Sequence, residues 1–188
     1  MPLKTVVKVG NISNLSDARY CAGMGVDMLG FSVVAGSTDY VLPKLFQEIR
    51  GWVSGPRFVA QIYGLSVQEQ LPEIVQNYAP DYFELDAQTF KKYGAHLSLP
   101  CIVAVTKEEF ASLRNNNNIA YFLMDEAAVS GAENNSTPIL LKVDSANGLQ
   151  QKLDRYQLTG VALNGSPEIR PGFKDYNELA EILELLDE

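Results

Sequence analysis

Near its start the sequence reads TVVKVG at residues 5–10, NISNLSDARYCAGMG at residues 11–25 and VDMLGF at residues 26–31. The first and third pieces are rich in β-branched and apolar residues, which is typical of buried strands. The middle piece begins with residues that cap helices, has apolar residues at helical spacing and ends at two glycines. A strand, a helix and a strand over so few residues predict a βαβ unit, and such units build parallel sheets.

The rest of the chain repeats this plan. Strands are predicted to start near residues 5, 27, 57, 81, 100, 119, 138 and 160. Helices are predicted between them, with capping boxes at Ser66–Glu69 and Thr106–Glu109 and a last helix that begins at Asp175–Glu178. Eight such steps predict an α/β fold of the closed (β/α)8 TIM-barrel type, forming one domain over residues 1–188.

The predicted barrel is compact. Its 188 residues compare with about 250 in a typical barrel of this kind. Residues 126–137 are mostly Ala, Gly, Asn and Ser, so the helix after strand six is expected to be missing or very short. An open doubly wound sheet is the alternative, but it usually has fewer strands and a glycine-rich first turn, and no GxGxxG motif is present.

Bulk composition limits the classes of partner. The net charge is -8, which argues against nucleic acid or an anionic membrane, because each would need a basic face. No apolar run is long enough to span a bilayer. Two cysteines give no disulfide framework, and Met1 is followed almost at once by a strand, so a cytoplasmic protein is expected.

Three carboxylates end predicted strands. Asp86, Asp125 and Asp144 follow strands four, six and seven. In a barrel, catalytic groups lie where strands end and the following loops begin. Carboxylates that meet there can raise one another's pKa and serve as general acid or base. The alternative is that each one only caps the next helix or faces water. The acidic residues have no spacing typical of a metal site, so no metal is expected.

Both ends of the chain carry patterns of a known family. KVGNISNLSDA at residues 8–18 and GVDMLGF at residues 25–31 are similar to K-I-C-G-I-T-N-x-x-D-A and G-A-D-x-x-G-F. Residues 160–175 are similar to G-V-D-V-S-S-G-V-E-x-x-P-G-x-K-D, and residues 40–41 and 123–125 also fit. These are motifs of phosphoribosylanthranilate isomerase, and in order they cover nearly the whole chain. The resemblance implies a (β/α)8 barrel.

The resemblance also implies a reaction. The family converts a phosphorylated ribosylamine from an aminoaldose to an aminoketose in tryptophan biosynthesis, an Amadori rearrangement that needs an acid, a base and no cofactor. The family acid corresponds to Asp125. The family base is the cysteine of K-I-C-G-I, and Gly10 stands in its place, so Asp86 or Glu84 is the expected substitute base. The phosphate site corresponds to Asn164, Gly165 and Ser166. The expected ligand is a small molecule that carries a phosphate, and a monomer or a homodimer is expected.

Other family positions differ. The family arginine of S-P-R-Y-V falls on Asp39, and Q-L-H-G becomes Glu84–Ala87. The glycine pair after strand seven is replaced within Lys142–Ser145. Three hypotheses therefore remain: a working isomerase of this family, a diverged paralogue that binds or converts another small molecule, and a non-catalytic interaction protein.

Overall fold

A computed structural model describes residues 3–130, 132, 136–156, 158–165, 168–170, 173–174 and 176–187. Eight parallel strands close into a barrel in chain order, with β1 hydrogen-bonded to both β2 and β8. The barrel strands are β1 (Val6–Gly10), β2 (Met28–Ser32), β3 (Arg57–Gln61), β4 (Tyr82–Asp86), β5 (Cys101–Ala104), β6 (Ile119–Met124), β7 (Ile139–Lys142) and β8 (Gly160–Asn164). Each begins at the predicted residue or the next one, so the predicted (β/α)8 barrel is confirmed.

Helices alternate with the strands. They are α1 (Leu15–Gly23), α2 (Pro43–Trp52), α3 (Gln70–Tyr78), α4 (Ala87–Tyr93), α5 (Lys107–Leu113), α6 (Glu126–Val129), α7 (Leu149–Tyr156) and α8 (Asn177–Leu186). The helix after β6 has 4 residues, which confirms the very short helix expected there. The capping box at Thr106 and Glu109 is also present. None of the helices in the described ranges is long and apolar enough to cross a membrane.

One local prediction was wrong in detail. Helix α3 begins at Gln70 rather than at Ser66, because the Tyr93 hydroxyl donates to the Ser66 carbonyl at 2.7 Å and holds that segment as a loop. Helix α7 begins after Gly148, whose positive φ of 68° excludes it from the helix. Beyond β8, Glu168–Arg170 (β9) pairs antiparallel with Phe173–Lys174 (β10). The predicted cap at Asp175 lies outside the described residues.

The core has two parts, and the second positions the site. One part lies between the helices and the outer face of the barrel. The other fills the barrel interior with the apolar side chains Met28, Val59, Ile102, Leu123, Leu140 and Ala162. Val6 and Tyr82 are partly buried and pack against this group. Because side chains alternate along a strand, the residues two positions after Val6, Val59 and Tyr82 also point inward. These residues are Lys8, Gln61 and Glu84, and all three are buried. A polar layer therefore lies above the apolar one, toward the carboxyl ends of the strands.

Candidate functional site

A cavity of about 700 Å³ opens at the carboxyl ends of the strands. This volume is in the range of small-molecule sites. The residues that line it come from six strands and the segments that follow: Lys8, Asn11, Gln61, Tyr63, Glu84, Leu123, Asp125, Glu126, Lys142, Val143, Asp144, Ser145, Asn147, Lys152, Ala162, Leu163 and Asn164. The predicted location of the site at this end of the barrel agrees with the cavity.

The floor of this cavity is a hydrogen-bonded network around Glu84. Oε2 of Glu84 lies 2.5 Å from the Lys8 ammonium, and both side chains are almost fully buried. Oε1 accepts hydrogen bonds from Gln61 Nε2 at 3.0 Å and from the Tyr63 hydroxyl at 2.9 Å. The Asn11 N–H donates to Gln61 Oε1 at 3.0 Å. Three donors thus fix the carboxylate, and the network joins β1, β3 and β4.

The Tyr63 hydroxyl is held in its protonated form. Burial, followed by the negative charge of Glu84 and their hydrogen bond, raises the pKa of Tyr63 well above its usual range. The phenol therefore remains a hydrogen-bond donor to Glu84 at ordinary pH.

Gly10 lies against this network, which closely surrounds the place where its side chain would be. A Cβ at residue 10 would lie 3.0 Å from Gln61 Nε2, 3.1 Å from Lys8 Nζ and 3.2 Å from Asn164 Oδ1. Asn11, which follows it, has a positive φ of 54°. The position that the resemblance gives to a basic cysteine is thus surrounded by an amide, an ammonium and a second amide.

The two aspartates expected to be catalytic lie in different surroundings. Asp125 is exposed and lines the cavity, and its Oδ1 accepts from the Ala128 N–H at 2.9 Å, which caps α6. Asp86 caps α4 by accepting from the Thr89 N–H at 2.8 Å and from the Thr89 hydroxyl at 3.0 Å. The described lining of the cavity contains Glu84 but does not include Asp86. The strand-four carboxylate that faces the cavity is therefore Glu84.

The expected phosphate-binding residues lie after β8. Asn164 lines the cavity and is exposed. The Gly165 N–H donates to the Gly10 carbonyl at 2.8 Å, so this amide is already used inside the protein. Ser166 lies outside the described residues.

Charges around the rim have both signs. Asp125, Asp144 and Glu126 lie at the rim with Lys142 and Lys152, and Lys152 pairs with Glu126 at 2.9 Å. Asp39 is exposed and does not belong to the described lining. Across the described ranges, no group of three or more His, Cys, Asp or Glu side chains is arranged to hold a metal ion.

Lys8, Gln61 and Tyr63 were not found from the sequence. A usable signal was present for Lys8, because a lysine between Val7 and Val9 in an apolar strand must either face the barrel interior or carry a charge into the outer core. Gln61 and Tyr63 have no such signal, since polar residues at strand ends are common.

Comparison with known proteins agrees with this fold. No model of a known protein family matches the chain. An N-(5'-phosphoribosyl)anthranilate isomerase of Nitratiruptor sp. is 26% identical over 196 residues, which cover 95% of this chain and 96% of the relative. The chain is therefore similar over nearly its whole length to phosphoribosylanthranilate isomerases.

Two further proteins of this name are also similar to the chain. The N-(5'-phosphoribosyl)anthranilate isomerase of Parabacteroides distasonis is 23% identical over 206 residues, covering 95% of this chain and 92% of the relative. A solved structure of monomeric forms of a dimeric phosphoribosylanthranilate isomerase from Thermotoga maritima superposes with a TM-score of 0.74 at 17% identity, covering 96% of this chain and 97% of that one. At that identity the structural match supports the barrel fold alone.

Proposed function

We propose that this chain catalyses the aminoaldose-to-aminoketose rearrangement of a phosphorylated ribosylamine, the reaction of its family in tryptophan biosynthesis. The observation that carries this proposal is the placement of Asp125 at the mouth of a cavity whose floor holds Glu84, in a barrel similar over its length to isomerases of this name. One barrel domain over residues 1–188 carries the site. The protein acts in the cytoplasm on a small phosphorylated substrate, as a monomer or a homodimer, and without a cofactor.

Asp125 is the general acid in this proposal. It must donate a proton to the ring oxygen so that the sugar opens. The hydrogen bond from the Ala128 N–H to Oδ1 orients the carboxyl group at the edge of the cavity. An acid at this edge can reach a sugar that lies across the strand ends, and solvent can return its proton afterwards.

Glu84 is the general base, in preference to Asp86. The base removes the proton from C2′ once the ring is open. Glu84 Oε2 lies next to Lys8 Nζ, and Nζ lies 3.1 Å from the Cβ position of residue 10. The carboxylate is thus separated by the Lys8 ammonium from residue 10, the position that corresponds to the cysteine of the similar family. Asp86 keeps the structural role of capping α4.

The phosphate site is proposed at the loop after β8, with Asn164 as the described side chain that faces the cavity. The Gly165 amide contributes to shaping this loop, because its N–H is engaged by the Gly10 carbonyl. Ser166 remains a proposed contact.

A second candidate function is favoured by one observation. Residue 10 is a glycine, and the space above it is ringed by Gln61, Lys8 and Asn164. A diverged paralogue that binds or converts a different small molecule in the same cavity would have this arrangement.

The test is an assay of purified protein with phosphoribosylanthranilate, following the loss of substrate fluorescence. Asp125→Asn should lower kcat by about 10²–10⁴-fold, since the acid is lost, while the amide oxygen still caps α6. Asp86→Asn is the matched control, because it also retains a helix cap but lies outside the described cavity lining, and its kcat should stay near that of the unmodified protein. Glu84→Gln should abolish turnover.

Absence of turnover in the unmodified protein at high enzyme concentration would reject the isomerase and leave the paralogue. Turnover that is lost equally in Asp86→Asn and Asp125→Asn would reject the assignment of the acid.

A further inference from the structure

Lys8 is a buried primary amine that the proposed isomerisation does not itself require. Its side chain is 2% exposed, it lies on the inner wall of the barrel, and it lines the cavity. Its ammonium is 2.5 Å from Glu84 Oε2. A lysine held against a carboxylate at the wall of a cavity is the type that proteins use for nucleophilic attack on carbonyl groups, because the carboxylate can take up the proton that the nitrogen must lose.

The glycine at position 10 keeps side-chain atoms away from this amine. A Cβ at that position would lie 3.1 Å from Lys8 Nζ and 3.0 Å from Gln61 Nε2, closer than a carbon atom normally lies to such groups. Gly10 has no positive φ, so backbone conformation does not require glycine at this position. Since Lys8 also lines the cavity, it differs from a buried lysine whose ion pair lies away from any cavity.

Glu84 is arranged to handle the proton. Its Oε1 already accepts hydrogen bonds from Gln61 and Tyr63, whereas its buried Oε2 has no partner among the described residues other than the Lys8 ammonium. A proton that passes from Nζ to Oε2 leaves a neutral nitrogen that can attack a carbonyl carbon and a carboxylic acid that can return the proton.

We propose that Lys8 forms a Schiff base with the carbonyl group of a small hydrophilic aldehyde or ketone in this cavity. Lys8 first gives a proton to Glu84, and its neutral nitrogen attacks the carbonyl carbon. A C–N bond forms, and the carbonyl oxygen takes up the proton from Glu84 to give a carbinolamine. Transfer of the second nitrogen proton to that hydroxyl expels water and leaves the C=N bond. One amine and one carbonyl thus give one imine and one water, with no oxidation or reduction.

This activity goes beyond the proposed isomerisation, in which the amine belongs to the substrate. It requires only an open-chain carbonyl compound that fits a cavity of about 700 Å³. It would hold in the isomerase or in a diverged paralogue.

The experiment traps the imine. The protein is incubated with glyceraldehyde and sodium cyanoborohydride, and the modified lysine is identified by peptide mass spectrometry. Labelling at Lys8 should exceed that at Lys142 by about tenfold or more, because the Lys8 nitrogen is held beside a proton acceptor. Lys142 is the internal comparison, since it lines the same cavity and is exposed.

Two variants make the result specific. Lys8→Arg keeps the positive charge beside Glu84 but cannot form an imine, and it should show no label at residue 8 and no compensating rise at Lys142. Gly10→Ala leaves Lys8 in place and should lower its labelling several-fold by crowding Nζ.

Labelling of Lys8 no faster than of Lys142 would overturn the proposal. Unchanged labelling of Lys8 in Gly10→Ala would do the same, because the absence of side-chain atoms at residue 10 is part of it. Neither result depends on turnover of phosphoribosylanthranilate, so failure here is separable from failure of the isomerase assignment.

Discussion

The buried pair of Lys8 and Glu84 makes a strong prediction about stability. Lys8→Met removes one charge and leaves the Glu84 carboxylate buried with only Gln61 and Tyr63 as donors. Breaking a buried ion pair in this way costs about 3–5 kcal/mol in the free energy of unfolding. For a chain of this size, that loss lowers Tm by roughly 6–20 °C at about 2–4 °C per kcal/mol.

The measurement is a double-mutant cycle in urea with Lys8→Met, Glu84→Gln and the double variant. Since the double variant contains neither charge, its destabilisation should be smaller than the sum of the singles by about 1–3 kcal/mol. The chain also contains a matched control. Arg57 and Asp81 pair at 3.5 Å with the arginine side chain 69% exposed, so Arg57→Met should cost less than about 1 kcal/mol. A cost for Lys8→Met no larger than that for Arg57→Met, or strictly additive effects in the cycle, would refute the reasoning.

Three smaller predictions concern the barrel seam, a buried thiol and a helix cap. Gly160→Ala should prevent or severely weaken folding, as measured by circular dichroism, because the new Cβ would lie 2.1 Å from the Val6 carbonyl oxygen. Gly23→Ala is the control, since its Cβ would have no atom within 4 Å, and it should be neutral or slightly stabilising. Burial raises the pKa of the Cys101 thiol to about 12 from 9.0. The stabilisation from the buried thiol is therefore complete below about pH 9 and is lost as the pH rises toward 12. Cys101 in the native protein should resist alkylation at pH 8 but react in urea. Thr106→Ala should cost about 1 kcal/mol in urea unfolding, since the Thr106–Glu109 capping box is lost, and an unchanged midpoint would contradict that role.

The strands could be predicted from the sequence because a strand that is buried inside the protein needs apolar side chains along its length. Each barrel strand is a short apolar run bounded by turn residues, so its start is visible without knowledge of its partners. The capping box at Thr106 was predictable for the same reason, since all its atoms come from four consecutive residues. The similar pattern at Ser66 failed because a distant residue, Tyr93, binds the Ser66 carbonyl.

The site was only partly predictable because its parts meet across strands. The sequence placed Asp125 at the mouth and named Glu84 as an alternative base, and both line the cavity. It could not separate the roles of Asp86 and Asp125, since both follow a strand and precede a helix and both cap that helix. The pairing of Lys8 with Glu84 depends on how far β1 and β4 are staggered around the barrel, which short-range patterns do not reveal.

The hydrogen bond from the Gly165 N–H to the Gly10 carbonyl joins the carboxyl ends of β1 and β8, the two strands that close the barrel. A displacement of residue 10 by even a few tenths of an ångström is transmitted through that bond to the backbone beside Asn164. Catalysis by residues of β1 and ligand binding by residues of β8 are therefore mechanically coupled. Evolution of a new reaction at one of them must carry an adjustment at the other.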